Sequence, residues 1–239
     1  MKKTLLITGV LLALAATVAS AAGVNVSWTD CGAAGQQNRA FACNSNAGSN
    51  VMVSSFDPPA GLSKVTGINL IWDLQSASDP LPAWWDLFNP GACKSGPTLN
   101  TVFANASCTD YFLAAGAGGI TAYLNTGSNK RRIGGSWSAN EADAGPVTPG
   151  TEYYAVNVVF SNAKTVGTGA CAGCQDGVCI VLNDVLISQP AGTAGGSPAV
   201  TNPRERNFIT WQGGAIGGGC PGATPAINKT WGQVKSIYR

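Results

Sequence analysis

The chain has 239 residues, of which 11% are charged, and its 14 basic and 12 acidic residues give a formal net charge of +2. A net charge this close to zero does not indicate the extended basic surface with which proteins bind nucleic acids. The sequence contains no histidine, which excludes Ser-His-Asp and Cys-His catalysis and any metal site that needs imidazole.

The N-terminus has the features of a bacterial export signal. Two lysines precede an apolar run over residues 5–16, and the small residues at 19–21 match a signal-peptidase cleavage site. The alternative, a retained membrane anchor, needs about 20 apolar residues, and this run is shorter. We therefore expect a signal peptide at 1–21 and a single exported domain at 22–239, secreted or periplasmic and without a membrane span.

Short segments rich in β-branched and aromatic residues follow the signal, separated by turns rich in glycine and proline. In the segment 65–75, Ile68, Leu70, Trp72 and Leu74 alternate with polar residues, which predicts a half-buried antiparallel strand. The other clear strand predictions are 51–56, 151–163 and 177–188. Weaker strand predictions are 25–28, 84–88, 101–105, 120–124 and 207–213.

Helix signals are sparse. Residues 110–119 have room for a short helical turn before their glycines. Residues 228–239 space aromatic and apolar side chains at helical intervals, which indicates either a terminal element packed on the domain or an export or attachment signal. The NKRR stretch at 129–132 is typical of a solvated loop tip, and 188–206 of an exposed loop. The sequence thus predicts an all-β fold, an antiparallel β-sandwich of jelly-roll or related Greek-key type with long, disulfide-pinned loops.

All eight cysteines lie in the part expected to be exported, where an even count indicates disulfides. They are Cys31, Cys43, Cys93, Cys108, Cys171, Cys174, Cys179 and Cys220. Their spacing predicts local bridges between Cys31 and Cys43 and between Cys93 and Cys108, each stabilising the fold by roughly 3 kcal/mol. Two further bridges would then join the last four cysteines, one of them reaching Cys220. The alternatives for the cluster at 171–179 are a zinc site and a redox pair.

Two stretches resemble a family of secreted, cysteine-rich bacterial β proteins to which no function is attached. They are YYAVNVVFSNAKTVGTGACAGCQDGVCIVLN at 153–183 and NKTWGQVKSIYR at 228–239. The likeness covers most of residues 22–239. It implies an exported form and a β fold stapled by cysteines, and it carries no activity, cofactor or catalytic residue.

Carboxylates are the remaining route to hydrolysis, because a glycosidase needs two of them facing each other across a cleft. The most plausible are Asp73, Asp86, Glu141 and Glu152, each in or beside a predicted strand. None lies in a motif tied to catalysis. We therefore favour a protein that is not an enzyme and keep glycoside hydrolysis as a remote alternative.

Aromatic side chains are the strongest binding candidates, because sugar-binding sandwiches stack pyranose rings on exposed aromatic faces. Trp84 and Trp85 would point to opposite faces of a strand, so that one is expected in the core and the other in solvent. The alternative is that both are buried. Trp137 is the other candidate, in a predicted loop whose oxygen-bearing residues at 140, 141 and 143 would suit calcium.

The sequence therefore predicts a secreted, disulfide-stabilised, non-catalytic interaction or structural module. Carbohydrate binding through Trp84, Trp85 or Trp137 is the alternative. The expected partners are extracellular polysaccharides or cell-surface components, with self-association through edge strands as a further expectation. No cofactor is expected, other than the calcium ion considered above.

Overall fold

The computed structural model describes residues 22–87, 91–102, 107–113, 115–215 and 219–220. Within these residues the chain forms twelve strands and two short 3-10 turns, at Gly32–Ala34 and Glu141–Asp143. The strands are β1 Gly23–Trp28, β2 Asn38–Arg39, β3 Ser49–Asp57, β4 Gly67–Ser76, β5 Thr98–Asn100, β6 Thr109–Asp110, β7 Ala117–Gly127, β8 Lys130–Ser138, β9 Tyr153–Ser161, β10 Val178–Ser188, β11 Ala199–Val200 and β12 Phe208–Trp211. No helix in the described ranges is long and apolar enough to cross a membrane.

The strands form two sheets that share one main hydrophobic core. The first sheet has the order β1-β3-β9-β5, with β6 beside β9, and the second has the order β2-β12-β10-β4-β8-β7, with β11 beside β10. Neighbouring strands are antiparallel except for β2 with β12 and β6 with β9. Successive strands such as β3 and β4 lie in different sheets, so the chain crosses between the layers. The predicted antiparallel β-sandwich is confirmed.

Alternating burial explains why strand β4 forms where the sequence predicts it. Ile68, Leu70 and Leu74 are each 1% exposed and lie in the core, whereas Asn69 and Asp73 lie on the opposite face. Successive side chains of a strand point to opposite faces, so burying the apolar set fixes the polar set on the outside of the sandwich.

Five aromatic rings meet at one end of the core. The Trp211 ring lies 3.8 Å from that of Phe41, 5.1 Å from that of Trp84, 5.2 Å from that of Trp85 and 5.9 Å from that of Trp28, measured between ring centroids. Rings in this range attract each other beyond the area that they bury. The loops that carry Phe41, Trp84 and Trp85 are therefore held against the end of β12.

Most strand predictions agree with the structure. The four clearest ones overlap β3, β4, β9 and β10, and the weaker ones at 25–28, 120–124 and 207–213 overlap β1, β7 and β12. The segment 188–206 is mainly exposed loop and contains the two-residue strand β11. These segments combine β-branched residues with the alternation that a two-layer fold requires.

The strand predicted at 84–88 is wrong over its described part. The backbone N–H groups of Trp85 and Asp86 both donate to the Pro82 carbonyl oxygen, at 2.9 and 3.1 Å, which makes a turn. The fixed φ of proline suits it to such a turn. The prediction at 101–105 is displaced, because β5 ends at Asn100, and residues 103–105 lie outside the described ranges.

The short helical turn predicted at 110–119 is also wrong. In the described part of that stretch, β6 ends at Asp110 and β7 begins at Ala117, and no helix lies between them. Residues 228–239 lie outside the described part of the chain. Of the loop tip predicted at 129–132, only Asn129 lies in the turn between β7 and β8, and residues 130–132 belong to β8. The predicted solvent exposure is wrong for Asn129 and Arg131, which are only 8% and 7% exposed.

Four disulfides account for all eight cysteines; both predicted local pairs are wrong, and so is the prediction that two bridges join the last four cysteines, because Cys171 and Cys174 pair outside that group. The bridges are Cys31–Cys108, Cys43–Cys174, Cys93–Cys171 and Cys179–Cys220. The expected link to Cys220 is present, across 41 residues. No cysteine is free, so the zinc and redox alternatives for the cluster at 171–179 are wrong. Four disulfides fit a secreted or extracellular protein.

The error in pairing has a topological cause. Spacing along the chain favours short loops, but the sandwich brings distant loops together at one end. Cys43 and Cys93 both reach the loop between β9 and β10, where Cys174 and Cys171 lie, across 131 and 78 residues. The cluster at 171–179 is therefore the meeting point of three separate bridges.

Removing the longest-range bridge tests its contribution to stability. The paired variant Cys43→Ser/Cys174→Ser is expected to lower the free energy of unfolding by about 5 kcal/mol, because the bridge closes the longest loop. Urea denaturation followed by far-UV circular dichroism measures the loss. Peptide mapping without reductant serves as the control and should recover the remaining three pairs. A fragment linking Cys93 to Cys108 in the parent protein would contradict the structure.

Candidate functional site: a polar groove on the second sheet

A groove of about 220 Å³ lies on the outer face of the second sheet, between the β7–β8 hairpin and strand β10. We call it the polar groove and define it by the side chains that line it. The described residues that line it are Asp73, Leu74, Gln75, Thr126, Lys130, Arg132, Cys179, Val181 and Asn183. Six of these nine side chains carry a polar group that can bond a ligand, and the other three are apolar, so the groove is suited to a ligand with both polar and apolar parts.

Alternation and register bring the lining residues together. Asp73 and Gln75 face outward because Leu74 between them is buried. Arg132 lies directly opposite Asp73, and Lys130 lies opposite Gln75, in the antiparallel pairing of β4 with β8. Directly opposed side chains of opposite charge stabilise such a pair.

A β-bulge in β10 supplies the third part of the site. The register with β4 shifts between Leu182 and Asp184, so Asn183 is an extra residue in the strand. Bulges re-aim side chains relative to a regular strand. Here the Asn183 amide donates to Oδ2 of Asp73 at 2.7 Å.

The Asp73 carboxylate is fixed at both oxygens. Arg132 donates from Nε to Oδ1 at 2.8 Å and from Nη2 to Oδ2 at 2.7 Å, a bidentate pair. Burial alone would raise the pKa of Asp73, but the hydrogen bonds from Arg132 and Asn183 and the charges of Arg132 and Lys130 outweigh it and lower the pKa. Asp73 is therefore ionised and held in one orientation.

Asp184 is a second carboxylate beside the same guanidinium group. It is half-buried, and burial raises its pKa above the ordinary value, although the charge of Arg132 opposes the rise. Two carboxylates with pKa values moved in opposite directions can divide the roles of acid and base. Because both Asp73 oxygens already accept hydrogen bonds, the arrangement is better suited to holding a ligand than to accepting a proton.

One wall of the polar groove is rigid. Cys179 and Val181 of β10 form a small buried cluster with Ala215, and Phe208 packs against it. The Cys179–Cys220 bridge fastens the segment that follows β12 onto this cluster. The groove is therefore largely preformed, which reduces the entropy lost when a ligand binds.

Trp84 and Trp85 do not form an exposed platform. Both side chains are 0% exposed, so the expectation that one of them faces solvent is wrong and the alternative, burial of both, is confirmed. Lys94 Nζ lies 3.4 Å from the centroid of the Trp84 ring, and burial lowers the pKa of Lys94 to about 8. The face of Trp84 is thus already occupied by a cation.

Trp137 lies in strand β8, not in a loop. It is half-buried, packs against the core and donates from Nε1 to the carbonyl oxygen of Ala115 at 2.8 Å. Asn140 precedes the 3-10 turn Glu141–Asp143, in which Glu141 pairs with Lys64. Among the described residues, no three His, Cys, Asp or Glu side chains converge in a way that would hold a metal ion.

The four carboxylates singled out in the sequence do not form one site. Each is paired with a different basic residue: Asp73 with Arg132, Asp86 with Arg131, Glu141 with Lys64 and Glu152 with Arg204. Glu152 lies in an enclosed cluster, where it accepts hydrogen bonds from Asn25 and Ser55. Of the four, only Asp73 lines the polar groove.

Sequence reasoning missed Arg132, Asn183 and Asp184. The strand prediction at 177–188 did contain a signal, because the two consecutive polar residues Asn183 and Asp184 interrupt an apolar run. Such an interruption is typical of a bulge, where alternation is broken by one residue. The bidentate pairing of Arg132 depends on sheet order, which the sequence does not state.

Comparison with known proteins adds little to this description. No family model and no curated protein matches the chain. Among solved structures, the chain is similar to a cohesin module from a Clostridium perfringens ATCC13124 family 33 glycoside hydrolase. The match has a TM-score of 0.35 and 9% identity, and it covers 77% of this chain and 98% of that module.

The burial of the tryptophans can be tested by truncation. Trp85→Ala is expected to lower the free energy of unfolding by about 3–5 kcal/mol, because it leaves a large cavity in the aromatic cluster. Trp137→Ala should lower the free energy of unfolding by a smaller amount, because Trp137 is only half-buried. Urea denaturation followed by circular dichroism compares the two. Equal midpoints for Trp85→Ala and the parent protein would contradict the structure.

The pKa of Asp73 is lowered and that of Asp184 is raised, so pH should affect the stability that these two carboxyls contribute in opposite ways. The lowered pKa of Asp73 contributes stability above the unfolded-state pKa, and this stability is lost as the pH falls through the folded-state value. Asp73→Asn should therefore lower Tm at about pH 7, and the difference should shrink under acid conditions.

The matched control is Asp184→Asn. A raised pKa means that ionised Asp184 disfavours the folded state above that pKa, so its replacement should maintain or raise Tm at about pH 7 and have no effect at about pH 3. Thermal melts across this range measure both variants. If Asp73→Asn and Asp184→Asn lower Tm by the same amount at neutral pH, the opposite pKa shifts of the two carboxyls are contradicted.

Proposed function

We propose that the protein is a non-catalytic extracellular interaction module that binds its partner through the polar groove. The observation that carries the proposal is the Arg132–Asp73–Asn183 array, in which each side chain is held by another. An array that is already ordered loses little side-chain entropy on binding. Arg132 uses two of its five N–H donors on Asp73, and within the described part of the chain its guanidinium donates to no other residue, so three donors are offered to a ligand.

The rest of the molecule suits this role. Four disulfides stabilise a fold in an oxidising compartment, and the N-terminal sequence has the pattern of an export signal. Gln75, Lys130 and Thr126 surround the central array with further donors and acceptors. A partner would therefore be recognised mainly by hydrogen bonds, with the ion pair setting its orientation.

Carbohydrate is the second candidate ligand, and the composition of the groove favours it. Carboxylate, amide, guanidinium and hydroxyl groups are the partners that sugar hydroxyls need. Among the described residues that line the groove there is no aromatic ring, so these residues offer a sugar no stacking surface. We expect a sugar bound in this groove to be held weakly per site.

A binding panel distinguishes these roles. Purified protein comprising residues 22–239 is mixed with insoluble polysaccharides and, separately, with immobilised cell-surface proteins, and the supernatant is assayed for reducing ends. Arg132→Ala and Asn183→Ala should each weaken binding of the ligand at least about tenfold. Each variant removes a charge-assisted hydrogen bond that holds Asp73 in the orientation offered to the ligand. Lys64→Ala is the matched control, because it removes an exposed ion pair with Glu141 outside the groove.

Each outcome has a distinct meaning. Binding to polysaccharide that is lost in both groove variants would identify the ligand as a sugar, and capture of a surface protein would identify a protein partner. Binding that both variants retain would place the site elsewhere. Release of reducing ends would overturn the non-catalytic proposal and direct attention to Asp73 and Asp184.

A further inference from the structure

Lys94 is a buried cation with which no described carboxylate forms an ion pair. The residue is only 6% exposed. Its ammonium group lies over the Trp84 ring and donates to the carbonyl oxygen of Ser161 at 2.6 Å. An ammonium group has three donors, and a buried charge is costly unless it is paired. Two donors of Lys94 are therefore left for a group that the described residues do not supply.

A depression of about 360 Å³ lies beside this lysine, and we call it the lysine depression. The described residues that line it are 91–96 and Lys164. Lys94 and Lys164 are the charged residues among them, and none of the described lining residues is acidic. Lys164 donates from Nζ to the carbonyl oxygen of Cys93 at 2.6 Å, which holds the second ammonium group against the same loop. The lining of the lysine depression is therefore positively charged.

The loop at 91–96 is held in place and offers further donors. The Cys93–Cys171 bridge ties it to the loop between β9 and β10. Among the described residues, no backbone carbonyl accepts a hydrogen bond from the N–H groups of residues 92–96. Backbone N–H groups in loops and lysine ammonium groups both bind anions in proteins. A site in which these donors are already positioned loses little entropy when an anion binds.

We propose that the lysine depression binds a compact oxyanion, such as a sulfate or carboxylate group, between Lys94 and Lys164. An oxyanion supplies hydrogen-bond acceptors together with the negative charge that Lys94 lacks among its described neighbours. A neutral hydroxyl or amide would supply acceptors and leave both charges uncompensated. The lysine depression and the polar groove have no lining residue in common, so this inference does not depend on the proposed function.

The burial of Lys94 gives the proposed site a distinctive pH dependence. Burial lowers the pKa of Lys94 to about 8, whereas an ordinary lysine titrates at about 10.4. The Trp84 ring and the Ser161 carbonyl, which face the ammonium group, are uncharged, and Lys164 is exposed. Because only the protonated amine attracts an anion, affinity should fall as the pH rises through about 8.

An NMR titration of ¹⁵N-labelled residues 22–239 with sodium sulfate, at constant ionic strength, tests the proposal. The amide signals of 91–96 and the indole signal of Trp84 should shift and saturate. Lys164→Gln and Lys94→Gln should each raise the sulfate Kd at least about tenfold, because each removes one of the two charges. Lys64→Gln makes the same charge change at an exposed ion pair with Glu141. It is the matched control and should bind sulfate like the parent protein.

Two results of this titration would overturn the proposal. The first is a set of signals at 91–96 that do not move, or that move without saturation. The second is a loss of sulfate binding in Lys130→Gln but not in Lys164→Gln, which would put the anion in the polar groove. Circular dichroism melts establish that each variant folds. Lys164 is exposed, so Lys164→Gln decides the matter even if the buried change Lys94→Gln prevents folding.

Two further titrations sharpen the result. In the first, a sulfated disaccharide replaces sulfate: a Kd at least about tenfold lower supports an oxyanion carried on a larger molecule, and an equal Kd supports the free anion. In the second, the sulfate titration is repeated at about pH 9.5, where Lys94 should be largely deprotonated and an ordinary lysine should not. The Kd should rise at least about tenfold there, and an unchanged Kd contradicts a role for Lys94 in binding.

Discussion

Strand β10 is packed on one face against the sandwich core and is flanked by β4 and β12 in its own sheet. Its inward residues, including Ile180 and Leu182, are fully buried, and this burial dictates that the alternate residues point outward. The outward set begins with Cys179, which anchors the segment after β12, and ends at the bulge that turns Asn183 toward Asp73. Core packing, the wall of the groove and its central hydrogen bonds therefore depend on one strand.

The fold could be predicted from the sequence where one local rule dominates. Alternation in 65–75 located β4 and its buried face, and β-branched runs located β3, β9 and β10. Prediction failed at 84–88, where a proline turn and tertiary burial of two tryptophans overrode strand propensity. It failed again for Cys31 and Cys93, because chain spacing carries no information on which loops meet at one end of a sandwich.

The site was harder to predict for the same reason. Asp73 could be selected as a polar residue on an outward face, but its partners Arg132 and Asn183 come from two other strands. Their approach depends on sheet order and on a one-residue bulge, neither of which leaves a periodic pattern. The sequence predicted that large aromatic residues form binding platforms, whereas Trp84 and Trp85 are buried in the interior. In this protein the polar surface and not the aromatic content marks the candidate site.

The arrangement of the bridges has a consequence for how the protein matures. Three of the four disulfides pass over intervening cysteines, and Cys31 and Cys43, the first two cysteines along the chain, are not partners. Short loops close more readily than long ones, so oxidation of the unfolded chain favours pairs that are not native. Reaching the native pairs then requires thiol–disulfide exchange, which makes correct folding depend on conditions that rearrange disulfides as well as form them.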